Sequence, residues 1–417
     1  MKKLLLTSLF SALGAYAALA QCGQRYHDKI FVDSVVSNIQ YGSNIRYNNT
    51  SENLTLDIYF PKGDTETERP LIIMAHGGNF LGGSKTGTDV VNLCKDWCAL
   101  GYVVASINYR VGMTNFPIPG PDSTDATEAV MRATHDGKAS VRFFRESFEN
   151  GNPYGIDTSH IFFAGVSAGG FIGLHMAYLD QNSEYPNYID TVGRPGLSGG
   201  IEGISGHPGY SSKVHAIINI CGALGDTAWI DAGDEPVLNF HGDDDGTVPY
   251  GSAQITLVGL YPLLQVDGSF SIAARATQLG IENCIETHEG YDHTPHISNA
   301  AIYDTTLNLS RNFLAHFVCN DALSCVYGPE ITSVEEHVGE AMFGLFPNPA
   351  NDHFTINMNG VNGTVNVEII DMTGNTVQTM QVNQSTFDVY RNNLASGMYL
   401  IRVSSGNTSD VTRIVFE

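Results

Sequence analysis

Residues 161–169, IFFAGVSAG, join an apolar run to a serine that lies between glycines, and this segment decides the fold. The run predicts a buried strand, and the segment GGFIGLHMAYL, which begins at Gly169, predicts a helix. Gly165 to Gly169 match G-x-S-x-G, a weak signal by itself in a chain with 44 glycines. The motif is more informative here because it lies between a predicted strand and a predicted helix, where a sharp turn would expose Ser167 as a nucleophile.

Apolar runs and helical segments alternate on both sides of this turn. The runs are residues 71–75, 102–108, 161–166, 214–220, 237–241 and 284–288, and helix candidates include residues 89–100 and 126–149. Short, nearly continuous apolar runs predict strands that are buried on both faces. Residues 54–61, LTLDIYFP, alternate in polarity and predict an outer strand. The expected fold class is therefore α/β, with a mostly parallel sheet between helices on both faces.

A serine nucleophile needs an oxyanion site, and the run 71–75 ends in a suitable segment, HGGNF, at residues 76–80. Glycines at this position let backbone N–H groups approach a developing oxyanion. We expect the N–H groups of Gly78 and Asn79, with that of Ala168 after the nucleophile, to form the oxyanion hole. The alternative is an ordinary glycine-rich turn between a strand and a helix.

The acid of a catalytic triad is expected in HGDDDGTVP, residues 241–249, directly after the run 237–241. Three adjacent aspartates suggest a calcium site, but an EF-hand loop needs alternate spacing and a distal Glu, which this segment lacks. We predict Asp245 as the acid because it follows the strand end and precedes Val-Pro. Asp243 and Asp244 are interpreted as parts of a solvated turn.

The base is expected after the last apolar run, in the segment EGYDHTPH at residues 289–296. Three histidines compete for the role: His288, His293 and His296. His288 is expected within or at the end of the strand, where a structural role fits better. Of the two histidines in the following loop, His293 is preferred as the base.

The chain order Ser167, Asp245, His293 is the order of α/β-hydrolases, and residues 50–318 resemble that superfamily. The likeness is to HGG-type carboxylesterases and to feruloyl and acetylxylan esterase-like enzymes. It rests on the segments HGGNF, GYVVASINYR, DGKASVRFFR, GVSAGG, HGDDDGTVP and GYDHTP. The resemblance implies a serine carboxylic-ester hydrolase that forms an acyl-enzyme, with no metal and no organic cofactor.

The pattern leaves several questions open. Asn79 stands where many relatives have a third glycine, so the N–H groups that line the oxyanion hole are not fixed. Feruloyl, acetyl, short-chain and polyester substrates, small or linked to a polymer, all remain open. An amidase or formamidase could use the same triad, and a non-catalytic binding protein could use the same scaffold.

Acidic residues outnumber basic ones by 44 to 21 in a chain of 417 residues, giving a formal charge of −23. A field of this sign excludes nucleic acid and anionic membranes as favoured partners. Residues 1–20 combine Lys2 and Lys3, an apolar stretch and a final Ala-Leu-Ala, and they predict a signal peptide. No later stretch is long and apolar enough to predict a membrane span. A secreted or cell-surface protein is expected.

Composition changes near residue 328. Residues 21–327 are assigned to the α/β-hydrolase domain and residues 328–340, which are acidic, to a linker. Residues 341–417 predict short alternating strands of a β-sandwich. With FPNPA at 346–350 and LASGMYLIRV at 394–403, this region resembles the type A sorting domain of the type IX secretion system. The resemblance implies a partnership with that machinery; a carbohydrate-binding sandwich is the alternative.

An exported chain permits disulfides, and seven cysteines are present. Cys319 and Cys325 are the expected pair, and Cys94 or Cys98 are candidates to reach Cys22. Because seven is odd, at least one thiol is expected to be free within the chain or paired with another chain. Two further cysteines, Cys221 and Cys284, are interpreted as buried core thiols. No cysteine spacing predicts a zinc site.

Overall fold

The computed structural model of the chain describes residues 22–326, 342–359, 363–371, 375–405 and 408–416. The chain divides into two compact units at the junction between Tyr327 and Gly328. The expected signal peptide, residues 1–20, and the expected linker, residues 328–340, lie outside the described residues. None of the helices in the described ranges combines the length and the hydrophobicity that crossing a bilayer requires.

An eight-stranded sheet forms the centre of the first unit. Its order is β1-β2-β4-β3-β5-β6-β8-β11, in which all strands from β4 onward run parallel and β2 is antiparallel to both of its neighbours. The strands are β1 Asp33–Ile45, β2 Ser51–Pro61, β3 Arg69–Ala75, β4 Val103–Ile107, β5 Ile156–Val166, β6 Ala216–Ile220, β8 Val237–Gly242 and β11 Asn283–His288. Each apolar run singled out in the sequence overlaps one of these strands; the runs 102–108 and 214–220 extend one or two residues beyond β4 and β6.

Five helices accompany the sheet in the described residues: α1 Val91–Ala99, α2 Ser123–Glu149, α3 Ala168–Tyr178, α4 Ser269–Leu279 and α5 Ala300–Cys319. Side chains of α2, α3 and α4 pack in one hydrophobic core, and side chains of α1 and α5 pack in another. Strand residues alternate between these two cores; Ile73 belongs to the first and Ile72 to the second. The predicted α/β class, with a mostly parallel sheet and helices on both faces, is confirmed.

A small second sheet, in the order β7-β10-β9, follows the central strands. It consists of β7 Ala223–Leu224, β9 Ser252–Leu257 and β10 Tyr261–Gly268, and the sequence did not predict the hairpin β9–β10. The hydroxyl group of Tyr261 donates to the carbonyl oxygen of Pro117 at 3.0 Å. The hairpin is thereby joined to the Pro- and Gly-rich loop 112–122.

Helix α2 begins with a capping box, in which Asp122 and Asp125 each accept from the other's backbone N–H. The helix is buried over most of its length, although it carries many charged side chains. Several of them bind backbone carbonyls of the long loop that follows α3. Arg132 donates to Pro195, His135 to Gly200 and Arg142 to Gly206, at 2.8–2.9 Å. This row of contacts fastens the loop to the body of the unit.

Two disulfides correct the expected pairing, because Cys22 is bonded to Cys319 and Cys284 to Cys325. The predicted Cys319–Cys325 bond was wrong: Cys319 ends α5, and the irregular segment after it carries Cys325 away to β11. Cys284 is therefore not a core thiol. In the chain-entropy model, each disulfide that closes a loop of this length raises the free energy of unfolding by roughly 4 to 6 kcal/mol.

Three cysteines are free and buried: Cys94, Cys98 and Cys221. The expectation that an odd count leaves at least one thiol unpaired is confirmed. Cys221 is a core thiol as predicted, whereas the suggested bond from Cys94 or Cys98 to Cys22 was wrong.

The second unit is all-β, as expected for residues 341–417. Its strands are β12 Phe343–Phe346, β13 His353–Met358, β14 Val365–Ile370, β15 Thr376–Val382, β16 Thr386–Tyr390, β17 Gly397–Ser405 and β18 Thr408–Phe416. They form two sheets, in the orders β12-β13-β16 and β15-β14-β17-β18. Residues such as Ile356, Val367 and Ile401 fill one core between the sheets, and burial alternates along strands such as β14.

Candidate active site

Ser167 lies between β5 and α3 in a backbone conformation that L-residues rarely adopt, with φ 52° and ψ −115°. The surrounding glycines are required by close packing. A Cβ atom at Gly165 would lie 2.0 Å from the carbonyl oxygen of Gly169, and one at Gly169 would lie 2.1 Å from that of Ala75. Strand and helix therefore meet backbone to backbone, and the turn presents the serine side chain at the carboxyl edge of the sheet.

The three residues predicted as a triad lie together at this edge. The Nε2 atom of His293 is 2.9 Å from the Oγ atom of Ser167. The Nδ1 atom of the same ring is 2.6 Å from Oδ2 of Asp245. Because a carboxylate only accepts, Nδ1 carries the proton of a neutral ring, and Nε2 is free to accept the serine proton. The geometry is that of a nucleophile, a base and an orienting acid.

Asp245 is held by hydrogen bonds to both of its oxygens. Oδ1 accepts from the N–H groups of Thr247 and Val248, each at 2.8 Å. Oδ2 accepts from His293 and lies 3.2 Å from Nε2 of His241. These hydrogen bonds hold Asp245, the third aspartate of the run, beside His293. Asp243 instead accepts from the N–H of Gly290 at 2.6 Å.

The ionised form of Asp245 is strongly favoured. Burial alone would raise its pKa, but hydrogen bonds from His241 and His293 outweigh burial and hold the pKa well below its usual range. The carboxylate therefore remains charged at every pH at which esters are assayed. Since the folded pKa is below the unfolded one, this group stabilises the fold at neutral pH. This stabilisation is lost as the pH falls through the pKa that Asp245 has in the unfolded state and then through its pKa in the folded state.

His241 is a site residue to which the sequence reasoning gave no role. Its ring is fully buried at the end of β8, and Nδ1 lies 2.7 Å from the hydroxyl oxygen of Ser269. Nε2 lies 3.0 Å from the carbonyl oxygen of Val248 and faces Asp245. A neutral ring with its proton on Nε2 satisfies all these partners, because Ser269 can donate to Nδ1. The signal was present, since His241 opens the same segment as the acid.

The two competing histidines lie apart from the serine hydroxyl. His288 is the last residue of β11 and is buried; burial, with smaller electrostatic contributions from the neighbouring His296 and His241, lowers its pKa to about 4. His296 is also buried, and its Nε2 donates to the carbonyl oxygen of Asp89 at 3.3 Å. Burial lowers its pKa as well. Both rings stay neutral near pH 7, and neither has a hydrogen bond to Ser167 among the described residues.

The segment 76–80 curves beside the serine. Gly78, Asn79 and Phe80 all have positive φ, of 117°, 54° and 58°. Asparagine tolerates this region better than most residues do, which is consistent with Asn79 at this position. The N–H groups of Gly78, Asn79 and Ala168 find no acceptor among the described residues. Together with Ser167, these three residues line the cavities at the serine, so their N–H groups are available to an oxyanion.

Surrounding groups hold this segment in place. The N–H of Gly77 donates to Oδ2 of Asp89 at 2.8 Å, which removes it from the set of free donors. The hydroxyl group of Tyr109 donates to the carbonyl oxygen of His76 at 2.8 Å, and the two rings stack with centroids 4.4 Å apart. The free donors therefore belong to a loop whose conformation is fixed before any ester binds.

A largely apolar cavity opens beside the serine. Helices α2 and α3 supply one wall, and the hairpin β9–β10 supplies the other. Its apolar lining residues are Phe80, Met113, Ala126, Val130, Ala168, Phe171, Val248, Ile255, Leu257, Leu263 and Leu264. No lysine, arginine, aspartate or glutamate lines it. The cavity suits an uncharged group of a substrate.

Two clusters of potential metal ligands occur in the described residues. In one, atoms of Cys221, Asp245 and His293 lie within 4.8 Å of one another. Burial raises the pKa of the Cys221 thiol to about 12, so it is not a thiolate at neutral pH and is a poor ligand. In the other cluster, with His27 and Asp321, the sulfur of Cys319 is already in a disulfide. Neither donor set fits a metal well.

Two protein families match parts of the chain. Residues 56–226 match the family BD-FAE, and residues 344–417 match the secretion system C-terminal sorting domain. No curated protein matches the sequence significantly.

Several solved structures are similar to the chain. Esterase 2 of Thermogutta terrifontis, phosphorylated by paraoxon, is 20% identical; the alignment covers 72% of this chain and 97% of that one, with a TM-score of 0.47. A truncated carbohydrate esterase from gut microbiota is 19% identical, with coverage of 70% and 99% and a TM-score of 0.47.

Proposed function

Because the chain carries an esterase-like α/β-hydrolase domain of the BD-FAE family and a type IX secretion sorting domain, we propose that it is an exported serine carboxylic-ester hydrolase. The sorting domain indicates export to the cell surface or the extracellular space. The observation that carries the proposal is the unbroken chain of hydrogen bonds from Ser167 through His293 to Asp245. The apolar cavity at the serine supports an uncharged ester as the substrate.

The proposed reaction has two steps. Ser167 Oγ attacks the ester carbonyl while His293 Nε2 takes the serine proton, and the N–H groups of Gly78, Asn79 and Ala168 stabilise the oxyanion. His293 then returns the proton to the leaving alcohol, which departs and leaves an acyl-enzyme. Water, activated by the same imidazole, releases the acid. Asp245 stabilises the charged imidazolium in both steps.

Paired substrates separate an esterase from an amidase on the same triad. We expect the full chain to hydrolyse p-nitrophenyl acetate with a kcat/KM more than about tenfold above that for p-nitroacetanilide, a difference of about 1.4 kcal/mol in activation free energy. A fluorophosphonate probe should label the protein once per chain. A preference for the amide would indicate an amidase instead of an esterase. If the protein neither reacts with the probe nor hydrolyses either substrate, a binding protein is favoured.

The second unit is proposed to serve export and not catalysis. A chain that ends at Tyr327 should fold and hydrolyse p-nitrophenyl acetate within about twofold of the full chain, because each unit has its own hydrophobic core. In the native host, the shortened chain should accumulate inside the outer membrane and be missing from the surface and the medium. Immunoblots of cell fractions measure this, and normal release of the shortened chain would reject the assignment.

A further inference from the structure

The histidine of α3, His175, has a ring nitrogen that the proposed mechanism does not use. His175 is only 5% exposed, and its Nδ1 donates to the carbonyl oxygen of Phe171 at 2.8 Å. Nε2 has no hydrogen-bond partner among the described residues. Burial lowers the pKa of His175 to about 4, so the ring is neutral at pH 7 and Nε2 presents a lone pair. A ligand that carries a hydrogen-bond donor can therefore bind to this nitrogen.

This histidine lines a second cavity. The other lining residues are Thr127, Val130, Met131, Leu179, Pro186, Tyr188, Gly225, Trp229, Leu264 and Gln265. Gly225 passes close to the rings of Trp229 and His175: a Cβ atom there would lie 2.5 Å from Trp229 Cη2 and 3.4 Å from His175 Nε2. None of the lining residues carries a formal charge at neutral pH. The chemistry therefore suits a neutral, largely apolar ligand with one hydrogen-bond donor.

The second cavity is adjacent to the one beside the serine. Val130 of α2 and Leu264 of β10 line both. Along α3, Phe171 lines the first cavity and His175, one turn later, lines the second, with the two rings stacked at 6.1 Å. At 1.5 Å per residue, Ser167 and His175 are about 12 Å apart along the helix axis. A group extending from the reacting carbonyl along α3 would thus reach the histidine.

We propose that this second cavity is a substrate subsite, which takes the far end of an elongated apolar group of the ester and accepts a hydrogen bond from a hydroxyl group at that end through His175. The subsite rests on the proposed ester hydrolysis at Ser167. It selects for a terminal hydroxyl over a terminal methyl, and it disfavours a terminal carboxylate, for which the lining offers no cation.

Matched pairs of esters test the subsite in the full chain. We expect p-nitrophenyl ω-hydroxyalkanoates to have a higher kcat/KM than the alkanoates of equal length once the chain spans the two cavities, by about 5- to 10-fold. At butanoate length the ratio should be near one. In His175→Phe, which keeps a ring without an acceptor, the ratio should fall to about one at every length.

Tyr188→Phe is the matched control. It removes a hydroxyl group from the same cavity, but this hydroxyl is already paired with that of Thr127 at 3.1 Å, so the hydroxyl preference should persist. The subsite is rejected if the wild type shows no preference at any length, or if His175→Phe retains it. If the wild type hydrolyses no ester in the series, including the butanoate, the proposed function has failed and not the subsite alone.

Tryptophan fluorescence gives a second readout that needs no variant at His175. The chain has two tryptophans, of which Trp97 is fully buried elsewhere and Trp229 lines the second cavity against His175. Decane-1,10-diol should change the emission at a concentration about 5- to 10-fold lower than 1-decanol does. Trp229→Phe should abolish the change. Equal responses to the two alcohols would overturn the role assigned to the histidine.

Discussion

Ser167→Ala is expected to lower kcat for p-nitrophenyl acetate by at least about 10³-fold, since removal of a triad serine leaves only the contributions of binding and of the oxyanion donors. The hydroxyl oxygen is the only nucleophile within 2.9 Å of His293 Nε2 among the described residues. Alanine keeps the Cβ atom, so the turn between β5 and α3 should form as before. Initial rates at pH 8 with active-site titration of the wild type measure the loss.

Two controls accompany this variant. Thermal unfolding should show a midpoint close to that of the wild type, because the substitution removes one partly buried hydrogen bond. Labelling by a fluorophosphonate should disappear. A variant that keeps more than about a tenth of the wild-type kcat would show that another residue is the nucleophile.

His293→Ala is expected to be the second of the two largest losses, at least about 10³-fold in kcat/KM at every pH tested. No other base in the described residues forms a hydrogen bond with Ser167. In the wild type, kcat/KM should fall as the pH is lowered, because a protonated His293 cannot accept the serine proton. The lowered pKa values of His288, at about 4, and of His296 keep both rings neutral, so neither should add a step near pH 7.

His288→Ala and His296→Ala are the matched controls for the base, and both should retain most of the activity. Asp245→Asn should lose about 10² to 10⁴-fold, since the imidazole remains but is no longer held in the right tautomer. Asp243→Asn should be mild by comparison. If His296→Ala is inactive while His293→Ala is active, the base has been assigned to the wrong histidine of the loop.

The central sheet could be predicted from the sequence because strands buried on both faces have a simple signature. Residues 71–75 are apolar throughout, residues 237–241 are mostly apolar, and glycine follows within two residues of each run. Candidate site residues fall at the ends of these runs, and parallel strands bring their carboxyl ends to one edge. Proximity of Ser167, Asp245 and His293 therefore follows from the topology, while their catalytic roles remain to be tested.

Features that depend on tertiary contacts could not be predicted in the same way. Cys284 pairs with Cys325 because an irregular segment passes beside β11, and cysteine spacing carries no information about that path. The hairpin β9–β10 is short and half exposed, so its alternation is weak. His241 stands in a recognised segment, but its contact with Asp245 depends on Ser269, 28 residues away along the chain.

The two disulfides near the C-terminal end of the first unit affect how this unit responds to a force applied through the C-terminal region. Tension transmitted through the region after residue 326 would enter this unit directly beyond Cys325. The bond to Cys284 passes the load to β11, which is held by parallel hydrogen bonds to β8 along its whole length. The bond between Cys319 and Cys22 secures the last turn of α5. A pulling force would therefore act on the two disulfides before it could separate α5 from the core, and the arrangement of Ser167, Asp245 and His293 should be preserved during export.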